Sequence, residues 1–318
     1  MIGVELKKVQ LKNGETIAYR ERPGKTDPIV FIHGNMTSSK HWDLVFEEMD
    51  EKYHLLAVDL RGFGESSYNT RFDSLDELTE DVREWMELIG IVAAQGGNGS
   101  ISEEGLDGAD GGVHVVGWST GGGVAMKLAA FYPEYVKSLT LLSSLSTRGY
   151  PHLSLGESGE PIRRSETKEE VEQDQWRTIP ITKAYEEEDG EFLRGVWNQL
   201  IYTDNQPDEA RYEAYIKDMC TQRNLADIYH ANNYFNISNH DGLAKGTGEV
   251  DKITAPVLIL EGELDQVVTH QMINEIRADF GDRAQYHLLK GCGHSALVDD
   301  LPQLLDVLST FIDQHRTK

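Results

Sequence analysis

The chain has 318 residues, 39% of them hydrophobic and 26% charged, a composition that fits a folded water-soluble protein and excludes disordered or collagen-like chains. Its 54 acidic against 30 basic residues give a formal net charge of -24, which argues against nucleic-acid phosphates and anionic lipid surfaces as partners. Two cysteines, Cys220 and Cys292, exclude a disulfide framework and any C-x-x-C metal or redox motif. No apolar run is long enough for a bilayer, and the opening MIGVELKKVQ lacks the apolar stretch of a secretory signal. The expectation is a reduced, cytoplasmic protein.

In chain order, VELKKVQL and ETIAYRER flank Asn13-Gly14 and predict a hairpin. PIVFIHG is a β-branched apolar run ending at a glycine, and SSKHWDLVFEEM follows with helical spacing (Trp42, Val45, Phe46, Met49). YHLLAVDL is a second apolar run. DSLDELTEDVREWMELIGI puts Leu75, Leu78, Val82, Trp85 and Leu88 on one helical stripe, with a serine near its start. GVHVVGWS, then the helix TGGGVAMKLAAFYPEYV, then KSLTLLSSLS continue the alternation. It resumes late with APVLILEG, the helix THQMINEIRADF, the strand AQYHLLKG and the final helix LPQLLDVLSTFIDQ. Short, wholly apolar strands alternating with amphipathic helices predict an α/β protein with a mostly parallel sheet covered on both faces. Functional residues then belong just past the carboxyl ends of the strands.

Two segments interrupt the pattern. Residues 94–112, AQGGNGSISEEGLDGADGG, read as an acidic, glycine-rich surface loop; Asp107 and Asp110 fit no EF-hand spacing and match a calcium-binding nonapeptide only loosely. Residues 147–252 carry four helical patterns, KEEVEQDQWRTI, GEFLRGVWNQLIY, PDEARYEAYIKDMCTQRNL and LADIYHANNYF. They predict a helical cap set between two sheet strands. The division is thus a core of 1–146 and 253–318 with a cap of 147–252. Trp176, Trp197 and the cap's tyrosines either wall a substrate pocket or form the cap's own small core.

Chemistry concentrates in a few loops. In VVGWSTGGG, Ser119 follows a strand and precedes a helix, the context a G-x-S-x-G nucleophile turn requires. Gly117 and Gly121 remove side chains that so tight a turn would bring into collision. A serine hydroxyl needs a general base, and the base an orienting carboxylate. His294, on a Gly-Cys-Gly loop after a late strand, is the choice for base over His270, His287 and His315. Past APVLILEG lie Glu261, Glu263 and Asp265; Asp265, at the loop apex, is the choice for carboxylate. An oxyanion needs two waiting N–H groups. Thr120 supplies one, and Asn35 in the loop FIHGNMTSS the other, with Met36 as second choice. His33 reads as a loop-fixing residue. Asp59 and Arg61 in VDLRGFGESS read as a pair, or as anchors of neighbouring loops, with no catalytic role.

Taken together, HG at 33–34, DLRGFGES at 59–66, GWSTG at 117–121, Asp265 after its strand and GHS at 293–295 make the chain resemble the serine-nucleophile branch of the α/β-hydrolase superfamily. The resemblance implies an eight-stranded, largely parallel sheet with a cap after the sixth strand. It also implies a Ser119–His294–Asp265 triad working without metal or organic cofactor. HGNMTSSKHWD and GWSTGGGVAMK are most similar to small intracellular bacterial carboxylesterases, some of them regarded as polyhydroxybutyrate depolymerases. The expected activity is hydrolysis of a small-molecule or oligomeric carboxylic ester through an acyl-enzyme. Polyhydroxyalkanoate depolymerase and lactonase are the enzymatic alternatives, and a non-catalytic ligand-binding protein on the same fold is the alternative from another class.

Overall fold

The computed structural model describes residues 4–94 and 112–316; the acidic loop expected at 94–112 lies almost entirely outside the described residues. An eight-stranded sheet organises the chain. Its strands are β1 (Glu5–Gln10), β2 (Thr16–Arg22), β3 (Pro28–Ile32), β4 (His54–Val58), β5 (Val113–Trp118), β6 (Val136–Leu142), β9 (Val257–Gly262) and β10 (Ala284–Leu289), in the spatial order β1-β2-β4-β3-β5-β6-β9-β10. The first hairpin forms as the Asn-Gly signal predicts, with Gly14 at φ +87°. β2 runs antiparallel to both β1 and β4, and every pairing from β4 to β10 is parallel.

The central strands are apolar throughout because both faces are covered. In β3, Val30 and Ile32 join one core with α2 (Leu75–Leu88), α3 (Thr120–Phe131) and α9 (His270–Phe280), whereas Ile29 and Phe31 join a second with α1 (Asp43–Glu48) and the final helix α10 (Leu301–Gln314). Each large apolar side chain so buried contributes about 1.5–3 kcal/mol. The serine near the start of α2 is Ser74, whose capping box with Glu77 closes the helix's first turn.

The long insertion leaves the sheet after β6 and returns at β9. It contains α4 (Lys168–Glu172), α5 (Thr178–Glu186), α6 (Gly190–Leu200), α7 (Glu209–Met219) and α8 (Leu225–Tyr234). Two features depart from the sequence expectation. A small hairpin, β7 (Leu153–Leu155) with β8 (Pro161–Arg164), precedes the helices. The segment KEEVEQDQWRTI breaks into the short α4 and the start of α5, because Asp174 Oδ1 accepts hydrogen bonds from the backbone N–H groups of Trp176 and Arg177 and turns the chain. Among the described residues no helix is long and apolar enough to cross a membrane.

Candidate active site

Ser119 stands between β5 and α3 with φ 54° and ψ -121°, a conformation that a residue with a side chain adopts only when its surroundings impose it. The surroundings are tight. A Cβ at Gly117 would lie 2.5 Å from the Gly121 carbonyl oxygen, and one at Gly121 would lie 2.3 Å from that of Ile32. The collision expected from the sequence is therefore real on both sides of the serine. Ser119 N–H donates to the Leu142 carbonyl at 3.1 Å, tying the turn to the end of β6.

The three acids at and beyond the end of β9 divide cleanly. Glu261 accepts from His270 Nδ1 and the Tyr286 hydroxyl, each at 2.6 Å. Glu263 accepts from the Gly291 N–H at 2.8 Å. Asp265 Oδ2 lies 2.8 Å from His294 Nδ1, and both side chains are buried. Asp265 Oδ1 meanwhile accepts from the N–H groups of Val267 and Val268, at 2.8 and 2.9 Å. That turn fixes the carboxylate and aims its second oxygen at the imidazole. With Nδ1 donating to Asp265, His294 keeps Nε2 as its remaining basic nitrogen.

His294 is held from behind by groups that motif reading does not reach. The Trp118 indole N–H donates to the His294 carbonyl at 2.9 Å. His41 stacks on Trp118, with centroids 4.4 Å apart and planes 7° apart, and its Nε2 lies 3.1 Å from Ser295 Oγ. Burial pushes the His41 pKa down to about 3, so this imidazole is neutral and serves as packing. Trp118 is visible in the sequence as the residue before Ser119, but nothing in the spacing indicates that its ring reaches a loop 176 residues away.

His33 fixes its loop as expected. Its Nε2 accepts the Leu60 N–H at 3.0 Å, its Nδ1 donates to the Gly34 carbonyl at 2.7 Å, and burial holds it below the ordinary histidine range. Asp59 and Arg61 both anchor loops but do not pair with each other. Asp59 accepts from the N–H groups of Ser39 and Glu65, while Arg61 forms a two-pronged ion pair with Asp81, both contacts at 2.7 Å.

One cavity of about 170 Å³ brings the parts together. Ser119, His294, Asn35, Met36 and Thr120 line it from the core, and Tyr150, Arg177, Trp197, Tyr229 and Asn232 are among the insertion's contributions. Trp197 is thus both core and wall, packing on Tyr202 and His41 while facing the cavity. Trp176 is half exposed and does neither. Met36, at φ 61°, bends the loop that carries Asn35. A larger hollow of about 530 Å³ over α9 and β10 holds no nucleophile, and no cluster of metal-ligand side chains occurs among the described residues.

This arrangement brings the histidine of a buried Asp–His pair and a serine on a strained turn to one cavity. A model of the alpha/beta hydrolase family matches residues 29–306. The chain belongs to that family. Within it, the chain is 34% identical to pimeloyl-[acyl-carrier protein] methyl ester esterase of Nitrosomonas europaea over 39% of this chain and 40% of that one. It is 23% identical to Lipase 1 of Psychrobacter immobilis over 97% of this chain and 84% of the lipase. The chain spans less than half the length of two of the curated relatives that it matches, 30% and 40%. Among solved α/β-hydrolase structures, an esterase from Exiguobacterium antarcticum superposes with a TM-score of 0.69 at 17% identity, covering 96% of this chain and 99% of that one; at that identity the likeness is one of fold.

Proposed function

We propose that the protein is a serine hydrolase of carboxylic esters, with residues 147–252 acting as the cap over its active site. The observation that carries this reading is the 2.8 Å Asp265–His294 contact, whose histidine shares a cavity with a serine on a strained turn. His294 Nε2 takes the Ser119 proton as Oγ bonds to the acyl carbon. The carbonyl oxygen, now negative, is held by the N–H groups of Asn35 and Thr120, each such donor being worth about 10²–10³ in rate. As the tetrahedral species collapses, His294 gives its proton to the departing alcohol, leaving an acyl-enzyme. Water then repeats the sequence, with His294 again as base, and releases the acid and Ser119. Asp265 stabilises the imidazolium in both halves. The esterase and lipase named among the relatives support ester chemistry.

The cavity volume favours a short-chain ester over a long acyl chain or a polymer, since about 170 Å³ lies below the range of roughly 300–1,000 Å³ common for ligand pockets. The insertion supplies half of the lining residues, among them the aromatic Tyr150, Trp197 and Tyr229, so it sets the substrate. A panel of 4-nitrophenyl esters of increasing chain length, lactones and polyhydroxyalkanoate granules tests this reading. Turnover is expected to be highest for the shortest esters. Inert simple esters beside a lactone or polymer that turns over would replace this reading with the lactonase or depolymerase one. A folded protein that binds esters without cleaving any would indicate a binding protein on a hydrolase fold.

A further inference from the structure

The two residues proposed as oxyanion donors, Asn35 and Thr120, line the cavity from different parts of the core. Each also has its side chain gripped by an amide of the insertion. Gln222, between α7 and α8, donates through Nε2 to Asn35 Oδ1 at 2.8 Å. Asn232, on α8, donates through Nδ2 to Thr120 Oγ1 at 2.8 Å. Both amides are buried, each only 5% exposed. Gln222 belongs to a continuous network. The same Nε2 donates to Asn224 Oδ1 at 2.9 Å, Gln222 Oε1 accepts from the Tyr185 hydroxyl, and Asn224 Nδ2 donates to the Arg61 carbonyl at 2.7 Å. Buried polar networks of this kind fix a single geometry when their members are satisfied.

Asn232 is different in an informative way. Its Nδ2 bonds Thr120, but its Oδ1 is buried without a partner. A buried unpaired oxygen is unfavourable for folding, and an apolar side chain of similar size would avoid it. An amide there therefore adds little to stability by itself, and what it does provide is the grip on the residue following Ser119.

We infer that Gln222 and Asn232 are positioning residues for the oxyanion hole, so that the insertion sets the hole's geometry as well as covering the site. This rests on the serine-hydrolase reading above. The Gln222 clamp matters more. Asn35 sits on a loop next to Met36 in the left-handed region, where Tyr229 of the insertion also bears on its side chain, whereas Thr120 opens a twelve-residue helix whose own hydrogen bonds restrain it. A small displacement of an oxyanion donor costs transition-state binding without costing ground-state binding.

The test is a kinetic comparison of Gln222→Leu and Asn232→Leu in the full chain. For Gln222→Leu, kcat falls about ten- to hundredfold with KM nearly unchanged, and for Asn232→Leu it falls about tenfold or less. The affinity for an alkyl boronic acid, which forms a tetrahedral adduct on the serine, falls in step with kcat, and the Asn232→Leu melting temperature stays near that of the wild type. Asn35→Ala, which keeps the N–H, reproduces the Gln222→Leu loss, and the double variant shows no further loss, as coupled residues require. If Gln222→Leu folds poorly, Asn35→Ala and its boronate affinity carry the test. Variants that raise KM alone, or that add their effects independently, overturn the clamp while leaving ester hydrolysis standing. A wild-type chain that turns over no ester overturns both.

Discussion

The two halves of the active site are built in opposite ways. The core half places its proposed reacting groups at strand ends, where backbone hydrogen bonds and van der Waals walls leave almost no freedom. Ser119 is forced into φ 54°, and Asp265 is locked by two N–H groups of its own turn. The insertion half reaches the same cavity through long side chains and buried amides, on short helices joined by turns. On the proposed reading, the difference separates the chemistry, which local geometry enforces, from selection of the substrate and adjustment of the site, which depend on tertiary contacts across more than one hundred residues of sequence.

Substitutions of the proposed reacting groups in the core half should therefore abolish turnover, and those of residues that only position them, in either half, should tune it. Ser119→Ala is expected to reduce kcat by about 10⁴-fold or more, with substrate binding retained in calorimetry. Asp265→Asn comes next, with a loss of about 10³–10⁴ in kcat, because an amide at this position favours the wrong imidazole tautomer; comparable activity in this variant would break the claim that the Asp265 contact orients the base. Gly121→Ala tests the strain directly. With the Ile32 carbonyl 2.3 Å from the new methyl, thermal unfolding should show a stability loss of about 1–3 kcal/mol, along with lost activity. Trp118→Phe keeps the stacking surface but removes the hydrogen bond to the His294 carbonyl, and should lower kcat about tenfold.

The smallest expected effect lies where the halves meet. Ser38 Oγ donates to Asp218 Oδ1 at 2.6 Å, and burial pushes the Asp218 pKa up to about 7. A carboxyl whose folded pKa is raised is more protonated in the native than in the unfolded state. Its contribution is thus fully present below its ordinary value near 4 and is lost as pH rises through 7. Asp218→Asn, which keeps the oxygen that accepts from Ser38, should raise the melting temperature by a few degrees at pH 8 and change little at pH 4. An equal shift at both pH values would show that the carboxylate charge is not the cause.

The contrast between halves also governs what could be read from the sequence. The β-hairpin, the apolar strands, α2 with its serine cap, and the grouping of Ser119, Asp265 and His294 were legible, because each follows from short-range periodicity, turn chemistry or placement at a strand end. Within the insertion, α6, α7 and α8 were legible by their apolar spacing. The hairpin of β7 and β8 was not, because its strands are short, mixed in polarity and never fully buried. Nor was α5, since Pro180 reads as a breaker although it sits in the first turn, where no intrahelical N–H bond is lost. Asn35 and Thr120 could be placed beside Ser119 from their neighbours in the chain, and both line its cavity. Gln222, Asn232 and Trp118 could not be given their roles, because an amide or an indole carries no local signal of what it will touch.

The central claim is that Ser119 is the nucleophile that the core half presents. It is tested most directly by intact-protein mass spectrometry after exposure to a fluorophosphonate. The account predicts a single covalent adduct on the wild-type chain, mapped to Ser119 by peptide analysis and missing from folded Ser119→Ala. A folded wild-type chain that takes up no adduct, or one that carries it on another residue, would contradict the account.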